Sequence, residues 1–203
     1  LSLTHRLCDS IIRRFPVDIC FLRTFAGMEL MAPYARRVVH LPFPIDCAGF
    51  KPRSLKRTPL IASNEVLTIG YVGRLIEEKG VLLLLNALPQ LPENIRLVFA
   101  GKGILADELR RRATALRVNA RVSVLPAVSH ADVPKILSEM EIVVVPSFDT
   151  PRWKEQCPRI PMEAMACQIA VVGSNSGGIP EVVGDAGLIF EQGNLAQLVD
   201  RLL

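Results

Sequence analysis

Two glutamates, Glu155 and Glu163, stand eight positions apart in the stretch that runs on from Val143. Glu155 falls in a segment with neither helical nor strand pattern. Glu163 falls in the first turn of a short helix that Pro161 is expected to open, where proline is well tolerated. A loop carboxylate and a helix-start carboxylate can face one crevice. Each accepts two hydrogen bonds, which suits the hydroxyls of a sugar or a ribose. By position alone the plainer readings lead, Glu163 as a favourable acid near a helix N-terminus and Glu155 as a solvated loop charge. Arg74 and Lys79, in GYVGRLIEEKGV, carry the opposite sign. Gly73 follows a strand directly there and lets a ligand approach the backbone. Two cations flanking the turn into a helix make a place for a diphosphate, or they are ordinary surface charges. In FAGKGILADEL, Gly101, Gly103 and Ala106 fit the dinucleotide pattern G-x-G-x-x-A, a pointer to NAD. The next strand ends without the expected ribose-binding acid, and a tight turn before a helix explains the glycines equally well.

These residues need a scaffold, and the hydrophobic pattern supplies one. Strands are predicted over Val17–Leu22, Arg37–Leu41, Val66–Val72, Ile95–Ala100, Arg121–Leu125, Glu141–Val145, Ile169–Gly173 and Gly187–Phe190. Helices are predicted over Leu7–Arg14, Phe25–Ala32, Lys79–Leu91, Leu105–Leu116, Ala131–Met140, Pro161–Cys167 and from Leu195 onward. Such alternation means βαβ units and a parallel sheet. Ligands of these sheets bind at the carboxyl ends of the strands, which is where the loops after Val72, Ala100, Leu125, Val145 and Gly173 fall. The stretch from Pro42 to Asn64 holds four prolines and several basic residues. Proline denies backbone donors to a sheet, so this reads as a linker.

Composition agrees. Half of the 203 residues are hydrophobic and the mean hydropathy is +0.31, as expected for strands buried on both faces. No apolar run approaches the roughly 20 residues that span a bilayer. Arg110, Arg111, Arg112 and Arg117 share one predicted helix, but the net charge is only +4. No nucleic-acid-binding motif accompanies them, so a solvated helix face is expected and nucleic acid is not a partner. The five cysteines (Cys8, Cys20, Cys47, Cys157 and Cys167) are scattered without metal-ligand spacing, which points to free thiols in a reducing, cytoplasmic setting. The first residues read as the middle of a helix and the last stop inside a helical pattern, so the chain is expected to be a fragment.

Taken in order, VGR and EKG, VFAGKG, SHADVP, VVVPS, WKEQ, EAMAC and VVGSNSGGIPEVVGDAGLIF resemble the family 4 retaining glycosyltransferases of the GT-B fold. The Glu155-to-Glu163 spacing is similar to that family's E-x7-E motif, and HLPFPIDCAGFKP resembles its interdomain stretch. The resemblance implies a Rossmann-like, doubly wound α/β domain over 65–203 that binds a nucleotide sugar. It also implies a linker over 42–64 and a remnant of an N-terminal acceptor domain over 1–41. It implies that Gly73, Arg74, Lys79, Glu155 and Glu163 bind the donor. Arg74 and Lys79 would neutralise the leaving diphosphate, Glu155 would contact the donor sugar near the reacting carbon, and Glu163 would hold the ribose hydroxyls. Pro126 to Val128 would lie near the base. The implied reaction moves a sugar from a UDP-, GDP- or ADP-linked donor to a sugar, lipid or polysaccharide acceptor with retention. No cofactor or metal is implied, because the two cations take a metal's place.

Four positions depart from the family pattern. Cys157 and Pro158 stand where an aromatic and a glycine are usual, and Pro158 removes an amide that could face the diphosphate. Gln168 and Ala170 stand where glycine and proline are usual. A left-handed helix end at Gln168 would cost on the order of 1 kcal/mol. The alternative is therefore a degenerate module that binds a nucleotide sugar without transferring it, with an NAD-dependent oxidoreductase as a third reading. The isolated chain is expected to be inactive, since acceptor placement, and any peripheral membrane contact, would belong to the other domain.

Overall fold

The structure, a computed structural model, describes residues 10, 13–52 and 65–203. Most of the helix expected over Leu7–Arg14, and residues 53–64 of the expected linker, lie outside these. The chain divides into two units, Leu1–Pro44 and Ile45–Leu203.

In the first unit, β1 (Val17–Leu22) and β2 (Ala35–His40) pair in parallel, joined by α1 (Phe25–Met31). Thr24 caps α1 by accepting the Gly27 amide at 3.2 Å, as a threonine at that position should. The Phe25 and His40 rings stack with centroids 4.5 Å apart.

The second unit holds β3 (Leu67–Val72), α2 (Val81–Ala87), β4 (Ile95–Ala100), α3 (Ala106–Ala115), β5 (Val122–Leu125), α4 (Val133–Leu137), β6 (Ile142–Val145), α5 (Ile160–Ala166), β7 (Ala170–Ser174), α6 (Ile179–Val183), β8 (Leu188–Phe190) and α7 (Leu195–Leu202). Its six strands lie in the order β5-β4-β3-β6-β7-β8, and every pair is parallel. This is the Rossmann-like, doubly wound arrangement, whose order reverses between β3 and β6.

The period of two along each strand builds two cores. Val144 and Val172 enter one with Ile69, Phe99, Leu84, Leu85 and Leu198. Their neighbours Val143, Val145 and Val171 enter the other with Leu137, Ala164 and Ile179. Fully buried leucines such as Leu84 and Leu85 are each worth roughly 1.5–3 kcal/mol. Phe50, within the stretch expected to be linker, is 4% exposed and stacks on His130 with centroids 5.6 Å apart. The second unit thus begins ahead of the expected boundary.

Three local expectations are corrected. The helix foreseen over Lys79–Leu91 is a 3₁₀ turn (Glu77–Lys79), then α2, then a second 3₁₀ turn (Leu88–Gln90). The break falls at Gly80, whose φ of +65° places it in the left-handed region. The helix α6 was not foreseen, because five residues with a proline among them carry too little periodicity. Pro161 does not open α5: Ile160 does, and Pro161 is its second residue.

Candidate functional site

The strand order reverses between β3 and β6, and such sheets bind ligands outside the carboxyl ends of the strands at that point. The loop after β3 brings Gly73, Arg74 and Lys79. The segment after β6 brings Ser147 and Glu155 and leads into α5 with Glu163. Lys79 Nζ and the Glu155 carboxylate form a direct ion pair, with side chains only 17% and 11% exposed. The Lys79 ammonium also lies 4.9 Å from the centre of the Trp153 ring. Glu155 accepts a further bond from Ser147 Oγ at 3.2 Å. Tyr71, on β3, donates its hydroxyl to the Arg74 carbonyl at 2.7 Å. Burial, and after it the charge of Glu155, push this phenol up, while the Arg74 guanidinium pulls it down. Tyr71 therefore feels the charges of both Glu155 and Arg74.

Glu163 belongs to a second cluster. It is 3% exposed, and its Oε1 lies 3.0 Å from His130 Nε2 and 3.2 Å from Arg159 Nη2. Arg159 Nη2 also approaches His130 Nε2 at 2.6 Å. A buried carboxylate needs such partners. Glu163 does not pair directly with Lys79, and its distance from Glu155 along the chain is spanned by the turn into α5.

The loops that carry these groups are locked by backbone contacts. The Phe148 amide donates to Glu78 at 2.9 Å, and Gly178 donates to the Glu155 carbonyl at 2.8 Å. A Cβ at Gly177 would fall 1.8 Å from that same carbonyl oxygen, and one at Gly80 would fall 1.9 Å from the Pro146 oxygen. Asp149 ties neighbouring loops together: Ser176 Oγ donates to it at 2.7 Å and Lys154 pairs with it at 3.1 Å. Partial burial pushes its carboxyl up, but the bonds from Ser176 and Lys154 outweigh that and hold it below the ordinary range.

The glycines of the G-x-G-x-x-A pattern have a packing role. A Cβ at Gly101 would meet the Gly73 carbonyl at 1.8 Å, and one at Gly103 the Leu75 carbonyl at 2.1 Å. The two loops are also laced by Gly73 to Ala100 and Leu75 to Lys102 hydrogen bonds of 3.0 and 2.9 Å. Side-chain-free positions are needed for that crossing whether or not a dinucleotide binds.

Of the departures from pattern, Gln168 has φ +59°. It is the left-handed helix end expected, occupied by a residue with a Cβ. Pro158 is buried, and Ala170 begins β7 at an exposed position. Burial pushes the Cys167 thiol up, away from reactivity. Sequence reasoning did not single out Tyr71, Ser147, Trp153, His130, Arg159 or Asp149. Serine after a strand and histidine before a short helix are too common to signal a site. Among the described residues, no group of three or more His, Cys, Asp or Glu is placed to hold a metal ion, and no helix is long and apolar enough to cross a membrane. A hollow of about 990 Å³ lies at the opposite, amino ends of β3, β4 and β6, lined by Leu67, Ile95 and Ile142, away from all these groups.

Residues 53–203 match the family described as Glycosyl transferases group 1. D-inositol 3-phosphate glycosyltransferase of Mycobacterium tuberculosis is 32% identical, over 78% of this chain and 34% of that protein. Among solved structures, Anabaena HepE in complex with UDP and glucose superposes with TM-score 0.75 at 23% identity, over 96% of this chain and 55% of that one. Sucrose-phosphate synthase from Thermosynechococcus elongatus gives TM-score 0.75 at 20% identity, over 96% and 50%. The chain thus spans about a third of the length of the curated relatives it matches, and the two solved structures share its fold.

Proposed function

The chain belongs to the family of group 1 glycosyl transferases, and from that premise we propose that residues 45–203 are the donor-binding part of a retaining, GT-B-type glycosyltransferase. The observation that carries this reading is the pairing of Lys79 with Glu155 beside Tyr71 and Arg74, at the reversal point of the sheet. A shielded lysine–carboxylate pair with the exposed Arg74 on the same loop as Lys79 matches a donor with an anionic diphosphate and a hydroxyl-bearing sugar. Arg74 and Lys79 take the diphosphate and stabilise the charge that grows on it as the glycosidic bond breaks, so no metal is needed. Glu155 accepts from the sugar hydroxyls near the reacting carbon. Glu163, held by His130 and Arg159, accepts from the ribose. The acceptor hydroxyl then bonds the anomeric carbon on the face that the diphosphate leaves and gives its proton to the leaving phosphate oxygen, which preserves configuration. The donor is a UDP-, GDP- or ADP-sugar, and HepE's complex with UDP and glucose favours UDP. The acceptor is a sugar, lipid or polysaccharide hydroxyl.

Calorimetric titration with UDP, GDP, ADP, the matching nucleosides and NAD tests this. Lys79→Ala and Arg74→Ala should each weaken diphosphate binding by about 1.5–3 kcal/mol, the worth of a charge-assisted bond, with little change for nucleosides. Equal losses for both ligands would assign these residues to folding, and binding of NAD alone would sink the reading.

A further inference from the structure

Lys79 stands in the structure already committed. Its ammonium is paired with Glu155 and lies over the Trp153 ring, and both partners of the ion pair are largely shielded from water. A diphosphate must therefore draw on a cation that a carboxylate and a ring face already share. If Lys79 turns to the phosphate, the contact left to the Glu155 carboxylate among the described residues is the Ser147 hydroxyl at 3.2 Å. A shielded carboxylate that loses its counter-charge is costly. A ligand that also brings hydroxyl donors to Glu155 offsets that cost, and one that ends at its second phosphate does not.

We propose that Lys79 is exchanged between Glu155 and the donor diphosphate, so that the pair makes this site select the intact nucleotide sugar over the nucleoside diphosphate that the reaction leaves. Glu155 is then the specificity-determining residue. Trp153 is a positioning residue, holding the ammonium in reach of both partners by cation–π attraction. This inference rests on the donor-site reading above. It adds to it that the carboxylate weakens product binding as well as strengthening donor binding.

The two effects separate in one variant. Calorimetry on the 203-residue chain with UDP, GDP and ADP, and with UDP-, GDP- and ADP-glucose, is compared for the unaltered chain, Glu155→Gln and Glu163→Gln. Glu155→Gln should bind the preferred nucleoside diphosphate about fivefold more tightly, since an ion pair that competes for Lys79 is gone. It should bind the nucleotide sugar more weakly, so the preference for the sugar-bearing ligand collapses. Glu163→Gln should weaken both ligands alike and leave the preference intact. A nucleoside diphosphate bound equally or less tightly by Glu155→Gln would overturn the exchange while leaving the donor-site reading in place. Failure of every nucleotide to bind the unaltered chain would overturn both. A second readout needs no variant. Trp153 is the sole tryptophan of the chain, so saturation with the diphosphate should shift its emission as the ammonium beside its face exchanges Glu155 for the phosphate. Saturation proved by calorimetry with unchanged emission would overturn the exchange even if Glu155→Gln does not fold.

Discussion

At the scale of single residues, charge and place in the sequence single out Glu155, Glu163, Arg74 and Lys79 but not the partners that each side chain meets. That Lys79 meets Glu155 across 76 positions, or that His130 meets Glu163 across 33, depends on which strands become neighbours. No local pattern carries that information. Backbone demand was easier to read. Gln168 follows α5 at φ +59°, and its side chain is exposed, so its Cβ costs strain without a compensating contact. Gln168→Gly should raise stability by about 0.5–1 kcal/mol, the relief of a left-handed Cβ less the entropy glycine adds to the unfolded chain. Urea unfolding checks this: a higher midpoint with an unchanged slope is expected, with nucleotide affinity unaltered. A lower midpoint would show that the side chain makes a contribution in place.

At the scale of elements, the strands were read well and the connections less so. The predicted Ile95–Ala100 coincides with β4, because an inner parallel strand is an apolar run with sharp ends, interrupted here by the exposed Arg96. The Lys79–Leu91 helix was read too long because its apolar spacing continues through Gly80. That glycine was needed for its left-handed φ and its approach to Pro146, a tertiary demand. Similar crossings hold the site. The loop after β7 reaches Glu155 through Gly177, which has φ +49° and no room for a Cβ. Gly177→Ala should therefore cost about 1–3 kcal/mol of stability. It should also weaken nucleotide-sugar binding more than nucleoside-diphosphate binding, because the segment that carries Glu155 must shift. Gly184 is the control: its φ is +52° but nothing lies within 4 Å of a Cβ there. Gly184→Ala should also cost about 1–3 kcal/mol of backbone strain, because its ψ of −139° lies outside the left-handed helical region, but it should leave both affinities unchanged. Denaturation and calorimetry on the two variants decide the matter, and equal binding losses would mean that the β7 loop does not position Glu155.

At the scale of the whole molecule, donor binding and sugar transfer separate. Arg74, Lys79, Glu155, Glu163 and their supports Tyr71, Ser147, His130 and Arg159 all belong to the second unit. A single doubly wound sheet supplies them, which is why the donor half of the proposed function could be read at all. Transfer asks for more, since the acceptor oxygen must be held about 3–3.5 Å from the anomeric carbon in line for reaction. The resemblance assigns that task to an opposing domain, and the chain spans 34% of its curated relatives. In the first unit, the described residues offer two strands and a short helix. Val17, Ile19 and Phe21 alternate along β1 with exposures of 46%, 49% and 60%, and Arg37 of β2 stands in register with Ile19 on the same face. We therefore expect the purified 203-residue chain to bind a nucleotide sugar, to hydrolyse it slowly at most, and not to glycosylate an added acceptor. The measurement follows a radiolabelled sugar from donor into acceptor and into water separately. Label in water alone fits the expectation, because water needs no acceptor site. Label in the acceptor at a rate that saturates with acceptor concentration would place acceptor binding within these 203 residues and overturn the division of labour.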